Sequence, residues 1–131
     1  GGAGVVIAVV TGGSGGLGRA ICAELERRGY EVRSWSRHDG VDATDEAAVQ
    51  GAAAGLPSWE VLVNNAAVLV PKRVADTTLA DWSQTLAAGL TAAFLCSREA
   101  FRRMAAAARS STSPRSPACA TPRSSPAWGP T

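Results

Sequence analysis

Residues 5–10, Val-Val-Ile-Ala-Val-Val, form an unbroken apolar run. It ends in Thr11-Gly12-Gly13-Ser14-Gly15-Gly16-Leu17-Gly18 and passes directly into a helical pattern, with Leu17, Ile21 and Leu25 four apart. A short Val/Ile-rich run closed by glycine reads as a strand buried on both faces, as in a parallel sheet. A glycine-rich turn between such a strand and a helix gathers backbone N–H groups and the positive end of the helix dipole at one point. That arrangement holds the phosphates of a dinucleotide. The same turn could also serve only to join strand to helix. A P-loop is excluded, because Arg19-Ala20 stands where a Lys-Ser/Thr pair would be needed.

The pattern then alternates. Arg27 and Arg28 suit the last turn of the first helix, and Gly29 suits its cap. Residues 31–36 read as a second strand, and Val41-Asp42 as the end of a short third. Thr44 reads as an N-cap with Asp45 and Glu46 in the first turn of a helix to about Ala54, closed by Gly55 and Pro57. Val61-Leu62-Val63 opens another buried strand that runs into Asn64-Asn65. After a loop over 66–77, Thr78 and Asp81 have capping-box spacing. Trp82, Leu86, Leu90, Phe94, Phe101 and Met104 then mark one face of a long helix over 79–107. Strands alternating with helices imply an α/β protein with a doubly wound parallel sheet of Rossmann type. The expectation is four strands near 5–11, 31–36, 40–42 and 60–65, in the order 3-2-1-4.

A chain of 131 residues allows one domain at most. The net charge of +2 divides unevenly: residues 1–108 carry 10 basic and 11 acidic side chains, and residues 109–131 add three arginines and no acid. The body of the chain therefore has no basic excess for nucleic acid. Cys22, Cys96 and Cys119 show neither metal-type nor paired spacing, which fits reduced thiols in a cytoplasmic protein. The run at 5–10 is too short for a signal or membrane segment.

Taken in order, Thr11-Gly12-x-x-x-Gly16-x-Gly18, then Asp42, then Asn64-Asn65-Ala66-Ala67 resemble the short-chain dehydrogenases/reductases over about residues 3–107. The family has Gly where Ala67 stands. The resemblance implies an NAD(P)-dependent oxidoreductase moving hydride between nicotinamide and a small alcohol or carbonyl substrate. Thr11, Gly12, Ser14, Gly15, Gly16, Leu17 and Gly18 would form the pyrophosphate turn. Asp42, beside Ala43, would accept from the adenine amino group, and Asn65, Ala66 and Ala67 would line the ribose and nicotinamide side. Cofactor choice turns on the end of the second strand, where an acid would bind ribose hydroxyls. Ser36 stands there, followed by Arg37, a small neutral residue and then a forked donor. This pair suits a 2′-phosphate, so NADP is expected over NAD. His38 has no role in this reading.

The chemical half of the family's site is missing. The resemblance implies a Tyr acid/base with a Lys four residues on, a Ser that polarises the substrate, and an Asn in the long helix. The only tyrosine is Tyr30 and the only lysine is Lys72, and counting from Trp82 the family's Asn falls on Gly89. No catalytic residue can be assigned, and the chain is expected to be inactive alone.

Residues 109–131 hold 6 Ser, 5 Pro, 3 Thr and 3 Arg, and no Val, Ile, Leu, Met or Phe. Either they form a disordered tail or they are the product of a shifted reading frame. Family members continue here with a strand like I-V-N-I-S-S. Ser110-Ser111-Thr112-Ser113-Pro114-Arg115 can be encoded as TCG TCA ACA TCT CCT CGG. Read one base earlier, after an A, the same bases give I-V-N-I-S-S. The shifted frame can be continued to Thr131 as V-A-G-L-R-D-T-P-V-F-A-G-L-G-P-Y. We therefore read the chain as the N-terminal half of such an enzyme, 1–108, followed by a frameshifted tail. The 60–65 strand then lacks its next neighbour, and the 79–107 helix is left with an apolar stripe that a second copy could cover. A non-catalytic NADP(H)-binding or scaffold module, and an enzyme completed by another chain, are the rival readings.

Overall fold

The computed structural model describes residues 4–110. Its order is β1 (Ile7–Thr11), α1 (Gly16–Arg27), β2 (Glu31–Trp35), α2 (Glu46–Ala54), β3 (Val61–Val63), α3 (Leu79–Leu86) and α4 (Ala92–Ser110). The three strands form one parallel sheet in the order β2-β1-β3. Every residue of β1 is buried, which explains its continuous apolar run: the strand is covered on both faces and paired on both edges. Register is fixed by Ile7 opposite Glu31 and Ala8 opposite Val61. On one face Ile7, Val9, Trp35, Val49, Ala53, Leu56, Trp59, Leu95, Cys96 and Ala100 close a core between the sheet, α2 and α4. Trp35 and Trp59 meet edge to face with ring centroids 5.2 Å apart, and the Trp59 indole N–H donates to the Val61 carbonyl.

The expected strand at 40–42 does not form; the described sheet has three strands, with β3 in the place expected of the fourth. Residues 36–40 turn instead. Val41 N donates to Ser36 O, and Gly40 N to Arg37 O, so these groups are spent within the turn and cannot join a ladder. The start of α2 also differs. Asp45, not Thr44, is the N-cap and accepts from Ala47 N, because Thr44 is held by the Asp42 carboxylate.

The 79–107 helix is two helices joined by a π-helical turn, Ala87–Thr91. Its start is as expected: Thr78 accepts from Asp81 N and the Asp81 carboxylate accepts from Thr78 N. The extra residue of a π turn rotates whatever follows it. Along α4 the core takes Ala92, Leu95, Cys96 and Ala100, with Met104 packed at the margin. Trp82, Leu86, Leu90, Phe94 and Phe101 all remain exposed, Phe101 by 74%. The apolar stripe is thus real and uncovered, and the face that holds α4 to the sheet is a different one. Likewise the Leu17-Ile21-Leu25 row is not a core face, since Leu17 is 70% exposed. The one fully buried position of α1 is Gly18.

One ion pair joins α4 to α2: Arg98 meets Glu46 at 2.6 Å. Within α4 Arg98 also reaches Glu99 at 3.5 Å, and Arg103 donates to the carbonyl of Leu56, just beyond α2. Among the described residues no helix is long and apolar enough to cross a membrane, and no cluster of His, Cys, Asp and Glu could hold a metal ion. The expectations for residues 111–131, including Cys119, lie outside the described residues.

Candidate functional site

The C-terminal ends of β1, β2 and β3 open onto one cavity of about 560 Å³. In an open parallel sheet this is where ligands are held, outside the carboxyl ends of the strands. The turn out of β1 forms its floor. Gly12 has φ +65°, a left-handed conformation that side chains resist, and its N–H is bonded to Trp35 O. Gly18 sits against that turn so closely that a Cβ there would lie 2.1 Å from Gly12 O. Gly16 is different: a Cβ built on it meets nothing within 4 Å, so its lack of a side chain keeps the cavity floor open.

Helix α1 begins at this floor without a side-chain cap and without an acid in its first turn. Its leading N–H groups therefore lack a side-chain acceptor, and the local field is positive. Residues at this point fit a pyrophosphate on three counts: a positive helix end, a floor without side chains, and room above it.

The third wall is set by a hydroxyl. Thr11 Oγ1 accepts from Asn65 N and Ala66 N, both at 3.0 Å, and Asn65 Nδ2 donates to Gly12 O at 3.2 Å. These bonds carry the chain leaving β3 across the end of β1. Asn64 turns the other way and donates to Ser97 Oγ at 3.1 Å, tying the loop to α4.

Of the residues singled out from the sequence, Gly12, Ser14, Gly15, Gly16, Leu17, Gly18, Ser36, Arg37, Asp42, Ala43, Asn65, Ala66 and Ala67 all line this cavity. Thr11 lies behind it, fully buried as a support. Asp42 Oδ1 accepts from Thr44 Oγ1 and Thr44 N, and these bonds hold its carboxyl below the usual range. Trp35, His38, Val41, Thr44, Val68, Ala88 and Ala92 also line it and were not foreseen. Ala88 and Ala92 come from the π turn and the start of α4, which bends over the cavity; no pattern short of the folded chain places them there.

Behind Ser36 lies a second feature missed at the sequence level. Asp39 Oδ2 is 2.6 Å from Ser34 Oγ and 2.5 Å from Ser36 Oγ, and Ser14 Oγ is 3.0 Å from Ser36 Oγ. The hydroxyls hold the Asp39 carboxyl low, Ser34 most strongly. The Ser-x-x-Asp spacing of 36–39 is the local signal that could have found it.

Lys72 is engaged with Asp81 at 2.7 Å, and Tyr30 lies between α1 and β2, lining a groove beside Ile21 and Leu25. Cys96 is fully buried, which pushes its thiol up to about 11, and Cys22 is half-buried with a raised thiol; both are free.

This parallel α/β frame, with its glycine floor at the strand ends, is of the Rossmann type. The short chain dehydrogenase family profile matches residues 40–112, more than half of the chain. An uncharacterized oxidoreductase of Thermotoga maritima is 33% identical over 70% of this chain and 45% of its own length. The NADP-dependent (R)-specific alcohol dehydrogenase of Lentilactobacillus kefiri is 31% identical over 75% of this chain and 48% of its own. The ligand-free aldohexose dehydrogenase of Thermoplasma acidophilum superposes with a TM-score of 0.71 at 26% identity, covering 76% of this chain and 44% of that one. The chain belongs to the short-chain dehydrogenase/reductase family. It spans about half the length of the relatives it matches.

Proposed function

We propose that residues 1–108 are the cofactor-binding half of an NADP-type oxidoreductase, and that the 131-residue chain binds NADP(H) without turning over substrate. A bound nicotinamide would supply or accept hydride at an alcohol or carbonyl carbon of a small substrate. The chain's own part is to hold the dinucleotide. The α1 N-terminus and the Gly15-Gly16 floor would take the pyrophosphate, Asp42 the adenine amino group, and Asn65, Ala66 and Ala67 the ribose nearest the nicotinamide. Arg37, beside neutral Ser36, would take a 2′-phosphate. The observation that carries this reading is the convergence of the uncapped helix and these residues on one cavity. The NADP dependence named for the Lentilactobacillus kefiri relative supports the choice of cofactor.

The absence of a Tyr and a Lys four residues apart from these 131 residues supports the lack of turnover. Residues 109–131 are proposed to be read in a shifted frame. The exposed row from Trp82 to Phe101 supports a homo-oligomer through the 79–107 segment, and the free thiols support a reducing cytoplasm. The test is a titration of the chain with NADPH and NADH. It would follow energy transfer from Trp35, which lines the cavity, to the reduced nicotinamide. Binding with no oxidation of NADPH by carbonyl substrates is expected. Failure to bind either dinucleotide rejects the proposal.

A further inference from the structure

Proton positions at the end of β2 follow from charge alone. The Asp39 carboxylate is acceptor-only, so both close contacts to it must be donations, from Ser34 Oγ at 2.6 Å and from Ser36 Oγ at 2.5 Å. Ser36 has one proton and has given it away. Its contact with Ser14 Oγ at 3.0 Å must then be a donation from Ser14, and Asp39 N donates to Ser36 Oγ at 3.2 Å. The Ser14 and Ser36 hydroxyls at the cavity edge both donate within the protein, and Ser36 has no lone pair or proton left over. Asp39 itself does not line the main cavity; it lines a neighbouring groove that shares Ser14 and His38 with it.

From this we infer that Asp39 is a positioning residue that sets cofactor selectivity against the 2′-phosphate. A 2′-phosphate needs donors. The Ser36 proton is committed to Asp39 and the Ser14 proton to Ser36, which leaves Arg37 as the charged donor from β2's end. Asp39 also puts a fixed negative charge one hydroxyl away from where that phosphate would rest. A ribose 2′-hydroxyl meets neither penalty, because it can donate to the unused lone pairs of Ser14 Oγ. The site therefore combines a residue that favours NADP, Arg37, with one that opposes it. The expectation is a dual-specificity site rather than a strongly NADP-selective one. This inference rests on the dinucleotide reading above.

The experiment measures Kd for NADPH and for NADH on the full 131-residue chain, on Asp39→Asn and on Asp39→Ala, at one ionic strength. Asp39→Asn removes the charge and keeps an acceptor; Asp39→Ala also releases the serine protons. The ratio Kd(NADH)/Kd(NADPH) is expected to rise about three- to tenfold in Asp39→Asn and further in Asp39→Ala, with NADH affinity changed less than about twofold. A purely structural role would weaken both dinucleotides together and leave the ratio where it was; that result, or a shift towards NADH, overturns the inference. Should Asp39→Ala fail to fold by circular dichroism, the near-isosteric Asp39→Asn decides. A native chain that binds neither dinucleotide rejects the functional reading and this inference with it. A native chain that binds one, with an unmoved ratio in the variants, rejects this inference alone.

Discussion

Thr11 holds Asn65: the threonine hydroxyl at the end of β1 accepts the Asn65 backbone N–H at 3.0 Å across 54 residues of sequence. The same oxygen accepts from Ala66 N at 3.0 Å, and Asn65 returns a side-chain bond to Gly12 O. Two strand ends that line one cavity are thus locked by a single buried atom. Thr11→Val keeps the shape and removes the acceptor, leaving two partly buried N–H groups without it. A loss of about 1–3 kcal/mol in urea unfolding is expected, with weaker dinucleotide binding. A variant as stable as the parent would show that water replaces the hydroxyl.

Gly16 and Gly18, two residues apart in the first turn of α1, should respond in opposite ways. In Gly18→Ala the new Cβ meets the Gly12 carbonyl at 2.1 Å and Gly13 Cα at 2.8 Å, backbone that cannot swing aside. Thermal melts should show a loss of about 1–3 kcal/mol or more. In Gly16→Ala the Cβ enters open space. Stability should hold or rise by up to ~1 kcal/mol, while NADPH binding weakens because the methyl occupies the floor. Equal loss of stability in both variants would refute this division of labour.

Asp81 carries the pH dependence of the start of α3. Lys72 Nζ at 2.7 Å, and then the Thr78 N–H, hold its carboxyl down at about 2. A depressed folded value means that the contribution is fully present above the unfolded carboxyl's pKa, about 3.9, and is lost as pH falls from there towards 2. Carboxyl carbon NMR should place the Asp81 midpoint near 2, with the α3 cap fraying over the same range. Lys72→Met should move that midpoint upwards. An Asp81 midpoint near 4 in the parent chain would remove Lys72 and the cap as causes.

The uncovered row on α3 and α4 should govern solution behaviour. Leu90 and Phe101 are 68% and 74% exposed, and Phe94 lies under Arg98 at 5.3 Å. Sedimentation velocity is expected to show concentration-dependent self-association, which Leu90→Glu with Phe101→Glu abolishes without lowering the melting temperature. Association that survives both substitutions would point to the edge of β3 instead.

Sequencing the nucleotides of codons 100–131, with the intact mass of the expressed chain, tests the origin of the tail. The shifted frame is expected to read I-V-N-I-S-S and to continue to a Tyr-x-x-x-Lys. Codons incompatible with that reading would make the Ser/Pro/Arg tail genuine and the non-catalytic module the better account of the whole chain.

Much of the site was legible because its parts are local. The apolar run, the glycines and the helix spacing of residues 5–25 lie side by side in sequence, and so do Thr78 and Asp81. Their geometry depends on neighbours a few positions away. The strand at 40–42 misled because β propensity cannot reveal that Val41 N would be taken by Ser36 O within a turn. Thr44 misled as a cap because Asp42, two residues earlier, competes for it.

Residues adjacent in the chain were enough to define a Rossmann-type start, a glycine-rich turn and an apolar stripe. They could not say which side of α4 meets the sheet. That was decided by packing against the sheet and α2, which buries Leu95, Cys96 and Ala100 and leaves Phe94 and Phe101 exposed. Nor could they bring Thr11 to Asn65, or Ser14 to Ser36. Such contacts exist only once parallel pairing has set the ends of β1, β2 and β3 side by side. A parallel sheet joins strands through long crossovers, so the groups that share its cavity are distant in sequence and no local rule can pair them.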